Sequence, residues 1–333
     1  MDKYKIDGQK LSFHPARVLE WQRGEQIYPL YVEISPSGAC NHRCIFCALD
    51  FMGYKQNFLD TKRLRAIITE MSSLGVKSIM FGGEGEPLMH PDIVKIIQHT
   101  REMGIDVALT TNGVLLTKDI IEEILPYLSW IKVSLDAATS STYSKIHRTK
   151  AEDYFIVMKN IVIANGIKAL ERYKCAIGVQ AIMLKENEYE LELFVKKARA
   201  IGVDYAVLKR YSQHGSSKNT CSSIIFNGKY LEDLSTNKFS VIVRNSKRRN
   251  YAICRALPFW SYISSNGDVW GCSAHIGNQK FFYGNIYSTC MDNIWFDRKK
   301  TIFDVSTCRP YCRMNKCNEY LEELINGEHN NFI

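Results

Sequence analysis

The sequence predicts an α/β protein, a partial (β/α)6 barrel followed by a cysteine-rich C-terminal domain. Three observations carry this reading. Short β-branched runs alternate with amphipathic helical stretches from residue 31 to about 210. A polar segment at 212–223, rich in Ser, Asn and Gly, then breaks the rhythm. From about residue 250 the chain is dense in cysteines and aromatics, with no helical period until the last turn or two.

The elements follow in order. Residues 1–30 form an N-terminal segment ahead of the first strand. Strands are expected at 31–35, 77–81, 105–110, 130–135, 174–183 and 203–209. Helices are expected near 60–74, 91–103, 117–126, 152–169 and 187–201, the first with Leu64, Ile67, Ile68, Met71 and Leu74 on one face. Asp60 and Thr117 sit where N-caps belong, and Pro91-Asp92 opens the second helix. Six β-then-α units imply a parallel sheet with right-handed crossovers, and six are too few to close an eight-fold barrel. The barrel therefore spans 31–215, a linker region 216–249, and the C-terminal domain 250–333. One further strand is a candidate at 239–245.

Composition sets limits. Of 333 residues, 46% are hydrophobic and 23% charged, which is ordinary for a globular protein and excludes disorder. The N-terminus lacks the apolar core of a secretory signal, and no apolar run approaches the roughly eighteen residues of a membrane helix. A cytoplasmic protein with no membrane partner is expected. Eleven cysteines in a reducing compartment point to metal ligands rather than disulfides. The formal charge of +8 is compatible with an anionic substrate. The basic cluster at 244–250 has few interleaved aromatics, so nucleic acid is not an expected partner.

The chemistry starts at CNHRCIFC, which places Cys40, Cys44 and Cys47 in a loop directly after the first strand. A cubane iron–sulfur cluster takes one thiolate per iron. Three thiolates in eight residues can hold three corners and leave the fourth iron open. Phe46, between two ligands, is suited to shield the cluster or stack near it. Zinc held by cysteines and His42 is the competing assignment, but zinc sites more often pair CxxC with a second CxxC or HxxxH. The CxxxCxxC loop after a strand resembles the radical S-adenosylmethionine (SAM) superfamily, over most of the chain from residue 30 onward.

The resemblance implies that SAM binds the open iron of a [4Fe-4S] cluster and is cleaved reductively to methionine and a 5′-deoxyadenosyl radical. It also implies an electron donor of flavodoxin or ferredoxin type. After the second strand comes FGGEGEPLMHPD, where family members usually carry a Gly-Gly-Glu-Pro turn against the methionine amino group. Anchoring on Pro87 selects Gly85 and Glu86, with Glu84 where the first glycine usually stands; anchoring on the double glycine selects Gly82 and Gly83. The proline register also aligns Leu88 and the helix opening at Pro91. Strand three ends in TTNG, with Asn112 facing the same end of the barrel. Strand four ends in Ser134-Leu135-Asp136; the family's binding of the SAM carboxylate or ribose carries over to Ser134 and Arg148, with Asp136 beside them.

Cys254 and Cys272 frame an Asn-Gly hairpin signal at 266–267, followed by Cys308, Cys312 and Cys317. This pattern resembles the SPASM or twitch extension of part of the superfamily. It implies one second, auxiliary [4Fe-4S] cluster on Cys254, Cys272, Cys308 and Cys312. Cys290 or Cys317 could replace one of the four, and a structural zinc knuckle is the alternative. Cys175 reads as a buried small hydrophobe. The last strand leads into Lys209, Arg210, Tyr211, Gln213 and His214. Here two cations could hold a phosphate or carboxylate, and Tyr211 or His214 could relay a proton. Trp260 and Tyr262 could wall a sugar or base. Similarity to the twitch-bearing 2-deoxy-scyllo-inosamine dehydrogenase points to a carbohydrate or nucleotide-sugar that is oxidised, epimerised or rearranged. Peptide or protein modification of the sulfatase-maturing or thioether-forming type is the second reading, and a non-catalytic iron–sulfur or zinc protein the third.

Overall fold

Strand β1 (Tyr31–Ile34) leaves alternate residues on opposite faces, as any strand must, and both faces are buried here. The structure, a computed structural model, describes residues 4, 6, 8–222, 224, 228–244, 249–296, 303–309 and 312–328. Helix α1 (Pro15–Gln22) precedes β1. After it come α2 (Thr61–Ser73), β2 (Ser78–Phe81), α3 (Ile93–Glu102), β3 (Asp106–Thr111), α4 (Lys118–Ile124) and β4 (Leu128–Ser134). Two helices, α5 (Ser140–His147) and α6 (Glu152–Leu170), then lead to β5 (Ala176–Met183), α7 (Leu191–Ala200) and β6 (Tyr205–Arg210). The six expected strands and five expected helices are all present. Asp60 caps α2 by accepting from the Arg63 amide at 2.7 Å, and Thr117 caps α4. Asp92 does not cap α3; its carboxylate accepts from the Thr61 hydroxyl at 2.8 Å and pairs with Lys95.

The parallel run extends at both ends. A short helix, α8 (Lys229–Glu232), precedes β7 (Ser240–Arg244), which pairs in parallel with β6. On the other side β8 (Trp260–Ile263) pairs in parallel with β1, Tyr31 opposite Trp260. The Asn-Gly turn then folds β9 (Asp268–Trp270) back antiparallel on β8, with Gly267 at φ +87°, and β10 (Phe282–Asn285) follows. The sheet order is β10-β9-β8-β1-β2-β3-β4-β5-β6-β7. The outer face packs on the helices through Ile34, Phe81, Leu109, Val133, Val179 and Leu208, which form one continuous core with α2 to α7. The chain closes with α9 (Met291–Phe296) and α10 (Asn315–Asn326), the latter three turns long and longer than the sequence indicated. Residues 245–248 of the basic cluster lie outside the described residues. Among the described residues no helix is long and apolar enough to cross a membrane.

The inner face is different in kind. Val133 and Val179 belong to the helix-facing core, so Lys132, Ser134 and Gln180 face inward. Tyr205, Val207, Trp130 and Ile242 form a small apolar floor with Tyr4 and Ile6 of the N-terminal segment. Gly178 makes room for that floor, because a Cβ there would lie 2.2 Å from the Tyr205 ring.

Candidate functional site

The loop leaving β1 is built by short hydrogen bonds. The Ser35 and Ser37 hydroxyls donate to the carbonyls of Ser37 and Ala39, each at 3.0 Å. Against this bend lies the turn after β2. A Cβ on Gly85 would stand 2.3 Å from the Ser37 oxygen and 2.4 Å from the Ala39 oxygen, so only glycine fits. The next amide, of Glu86, donates to the Ala39 carbonyl at 2.8 Å. The buried Glu86 carboxylate accepts from the Thr111 hydroxyl (2.6 Å), the Leu88 amide (3.1 Å) and the Asn112 amide (2.8 Å). Burial pushes its pKa up to about 7, against those three donors. Asn112 in turn donates to Asn41 at 2.6 Å, reaching into the cysteine loop itself. Glu84 points elsewhere, accepting from the Ser265 amide at 2.5 Å, and so ties this turn to the β8–β9 hairpin.

The three loop thiols converge. Burial pushes the Cys44 thiol well up, and the charges of Cys47 and Cys40 push it further. Cys40 rises to about 11, mainly by burial and with contributions from Glu86 and Cys47. All eleven cysteines are free thiols. Sequence reasoning missed His147, at the end of α5, whose Nδ1 lies 3.1 Å from Cys44 Sγ. Its Nε2–H donates to the Leu135 carbonyl at 3.2 Å, and burial drives its pKa down to about 3. Donor atoms of His42, Cys44 and His147 lie within 4.8 Å of one another, so the histidine of the zinc alternative is nearby.

The other expected residues are spread over this end of the barrel. Phe46 is half-buried, edge-on to His147 at 5.7 Å, and packs with Ile146, Ile182 and Tyr211. Ser134 ends β4 on the inner face, beside Gln180. Asp136, at φ +55°, is fully buried; one oxygen accepts from the Ile182 amide at 2.6 Å and the other lies 3.5 Å from His147 Nε2. Its carboxylate is thus turned to the frame of the site, not to its opening. Arg148 terminates α5 in a left-handed conformation (φ +47°) with its side chain exposed. His214 is buried over the Phe51 ring at 4.4 Å, and burial lowers its pKa to about 4. The polar loop after β6 straps the cysteine loop, Asn219 donating to the Cys47 carbonyl at 2.9 Å.

The family model for the radical SAM superfamily matches residues 34–203, just over half the chain. The chain belongs to the radical SAM superfamily. It is 27% identical over 256 residues to an S-adenosylmethionine-dependent nucleotide dehydratase of Flammeovirga pacifica, covering 73% of this chain and 86% of that protein. It is 30% identical over 193 residues to the GTP 3′,8-cyclase of Chlorobaculum tepidum, covering 55% of each. The fold is shared with Streptococcus suis SuiB bound to S-adenosylmethionine, at TM-score 0.68 and 20% identity, over 86% of this chain and 70% of that one. SuiB has also been seen bound to its precursor peptide SuiA. This radical SAM enzyme accordingly works with SAM and a [4Fe-4S] cluster.

The lumen of the radical SAM barrel is cationic. Strand alternation corrects the expected pairing of Lys209 with Arg210: neighbours on a strand face opposite ways. Lys209 lies in register with Ile182 and Arg244 on the inner face, while Arg210 shares the outer face with Met183. The inner partners are instead Lys132 of β4, Arg244 of β7 and Arg313. Arg313 pairs with Glu33 of β1 and lies over the Trp260 ring at 5.3 Å. Burial lowers Lys132 to about 7, helped by the charges of Lys209, Arg244 and Arg313. Lys209 falls to about 8 by burial and then Arg244 and Arg313, with Asp136 and Glu33 opposing. In sheet order β1 stands three places from β4 and five from β6, yet Glu33 of β1 acts on both Lys132 and Lys209, as in a sheet curled around a common interior.

Cys254, Cys272, Cys308 and Cys312 lie near enough to act on one another, Cys254 and Cys272 packing with Leu257, Tyr262 and Trp270. Burial pushes Cys254 up to about 12, with Cys312 and Cys308 adding to it; Cys272 is raised by burial, Cys312, Cys254 and Cys308. His275 Nε2 stands 3.4 Å from Cys308 Sγ, and the Asn318 amide donates to Cys254 Sγ at 3.7 Å. Cys317 packs instead with Leu11, Ala256, Phe259 and Leu321 under α10, and Cys290 lies beside Tyr28 at the start of α9. Tyr262 is buried, with a hydroxyl 2.7 Å from where a Gly83 Cβ would stand.

Proposed function

We propose that this radical SAM enzyme abstracts hydrogen from a small anionic substrate of the nucleotide or nucleotide-sugar class, within the barrel lumen. The observation that carries this reading is a lumen with an apolar floor and cationic walls, opening toward the cysteine loop. The named activities of the dehydratase and the cyclase support it, since both act on nucleotides.

The residues present fit the implied cofactors. Three soft thiols converge in a loop whose backbone is fixed by Gly85, Glu86 and Asn112, a donor set suited to iron rather than to calcium or magnesium. Cys40, Cys44 and Cys47 would hold the [4Fe-4S] cluster, and Ser134 and Arg148 would meet the SAM carboxylate or ribose. Together these groups supply a 5′-deoxyadenosyl radical when bound and reduced. The chain's own share is placement: the floor excludes water from below, and the lumen lysines attract and orient an anion under the cysteine loop. Cys254, Cys272, Cys308 and Cys312 would hold a second, saturated cluster with no iron open to substrate. Reduction would come from a flavodoxin- or ferredoxin-type donor.

The test is isotope tracing. Reduced, anaerobically reconstituted enzyme is incubated with SAM and nucleotides or nucleotide-sugars deuterated at sugar carbons. Deuterium in 5′-deoxyadenosine from one of these is the expected result. Transfer from a peptide and from none of them would move the enzyme to the peptide-modifying class; no SAM cleavage at all would remove the radical reading.

A further inference from the structure

His147 and Cys44 face each other in a way that the cluster alone does not explain. The cysteine loop is pinned to the end of α5 by two backbone bonds, from the Arg43 amide to the His147 carbonyl (3.1 Å) and from the Ile45 amide to the Ile146 carbonyl (2.9 Å). This holds His147 Nδ1 3.1 Å from Cys44 Sγ. On its other side the ring meets only acceptors. Nε2 lies 3.2 Å from the Leu135 carbonyl and 3.5 Å from Asp136 Oδ2, an oxygen with no hydrogen bond of its own. The ring hydrogen therefore sits on Nε2, and Nδ1 presents a lone pair to the sulfur. A lone pair and a thiolate repel at that distance unless a proton or a metal ion lies between them.

His42 repeats the arrangement. It is 1% exposed, neither ring nitrogen makes a hydrogen bond, and Nε2 lies 3.5 Å from Asp153 Oδ2. The two imidazoles stand 5.2 Å apart, and one donor atom from each lies, with Cys44 Sγ, within a span of 4.8 Å. Tyr143 covers both rings, 4.3 Å from that of His147 and 6.0 Å from that of His42. A carboxylate behind each imidazole and an aromatic cover orient and dry a histidine metal site. Nitrogen and thiolate donors so placed suit zinc, whose bonds to them run about 2.0–2.3 Å, rather than magnesium or calcium.

We propose that the cluster-free chain holds one zinc-class divalent ion on His42, His147 and Cys44, and that sharing Cys44 makes this ion and the radical SAM cluster mutually exclusive. Binding displaces the Cys44 thiol proton to solvent, and Asp136 and Asp153 balance the remaining charge. While the ion stays, Cys44 is guarded and the cluster cannot load. The site needs neither SAM nor substrate, so it stands or falls apart from the function proposed above.

The test removes the second thiol set first. Full-length apo-protein carrying Cys254→Ala and Cys308→Ala, its folding checked by circular dichroism, is titrated anaerobically with cobalt(II) as a spectroscopic stand-in and then with zinc. One ion per chain is expected, with tetrahedral d–d bands and a charge-transfer band of one thiolate's intensity. Cys44→Ala should abolish binding, His42→Gln and His147→Gln should each weaken it a hundred-fold or more, and Asp136→Asn ten- to a hundred-fold. Cys40→Ala with Cys47→Ala should leave the affinity within a few-fold. Three thiolates' intensity, lost with Cys40 and Cys47 and indifferent to both histidines, would put the ion on the thiols alone and overturn the site, as would no binding. One equivalent of zinc added before iron and sulfide should cut cluster formation from about four irons per chain to a small fraction; full loading beside bound zinc would overturn the exclusion. If the parent or a histidine variant fails to fold, zinc-edge X-ray absorption of the wild-type apo-protein decides. Imidazole scattering of about one ring per zinc, at two zinc per chain, keeps the site, and sulfur scattering alone removes it.

Discussion

Lys132 and Lys209 show what a residue's surroundings add to its identity. In the sequence each is one basic residue among 43, and only Lys209 stood out, through its place after the last expected strand. Its supposed partner Arg210 was chosen by adjacency, whereas the two-residue period of a strand sends adjacent side chains to opposite faces. The contact between Cys44 and His147 was likewise invisible: 103 residues separate them, and nothing in a single chain says which histidine folds onto a thiol. Gly85, Glu86 and Asn112 were picked out through the family resemblance, and for Gly85 the structure adds a physical reason, a turn with no room for a Cβ. The two lysines also yield a pH prediction. Their pKa values are lowered to about 7 for Lys132 and about 8 for Lys209, by burial first and then by Lys209 on Lys132, by Arg244 and by Arg313, with Glu33 and Asp136 opposing. They lose protons as pH rises through that window, and a bound anion restores them. Affinity for the anionic substrate should therefore fall between pH 7 and 9, by roughly tenfold per pH unit for each lysine that must be reprotonated. Calorimetry in two buffers of different ionisation enthalpy should show proton uptake at pH 8; a flat profile would mean the lysines do not meet the ligand.

Elements were read well where period and punctuation agree. The α2 stripe, its Asp60 cap and the Asn-Gly hairpin each combine a pattern with a residue that ends it. α5 was missed because SSTYSKIH is short and polar, with only Tyr143, Ile146 and His147 buried. Its start is fixed from elsewhere, by Glu190, whose carboxylate accepts from the Ala138 and Thr139 amides. β8 was placed in a hairpin but not beside β1, since strand order is not written in local pattern. Glu84, which departs from the family's usual glycine, acquires its reason only there, in the bond to Ser265. The turn after β2 is therefore a wedge between two modules, and Gly85 is its thin edge. Gly85→Ala would drive a methyl group into the Ser37 and Ala39 carbonyls and displace the cysteine loop. Iron at that loop should drop to a small fraction of the wild-type level, while iron held through Cys254, Cys272, Cys308 and Cys312 persists. Equal loss at both sets would show that the strain spreads through the whole chain.

At the scale of the whole molecule, the two cysteine sets sit in loops around one continuous sheet, ten-stranded among the described residues. Reconstituted enzyme should hold about eight irons, two cubanes of four, and replacing Cys40, Cys44 and Cys47 with Ala should leave about four. Iron and sulfide assays with the electronic spectrum check this; a triple variant without iron, or a wild type that never exceeds four, would refute separable sites. The same sheet has a consequence in time. β1 lies in its middle, and one of its two neighbours, β8, is made more than two hundred residues later. Such long-range pairing forms slowly and late. On the ribosome, the wall beside Cys40, Cys44 and Cys47 stays absent until residues 260–265 have emerged, and only then can Ser265 engage Glu84. Nascent chains hold these three thiols open to the assembly machinery, and to oxidants, through most of synthesis; docking of the last parallel strand ends that interval.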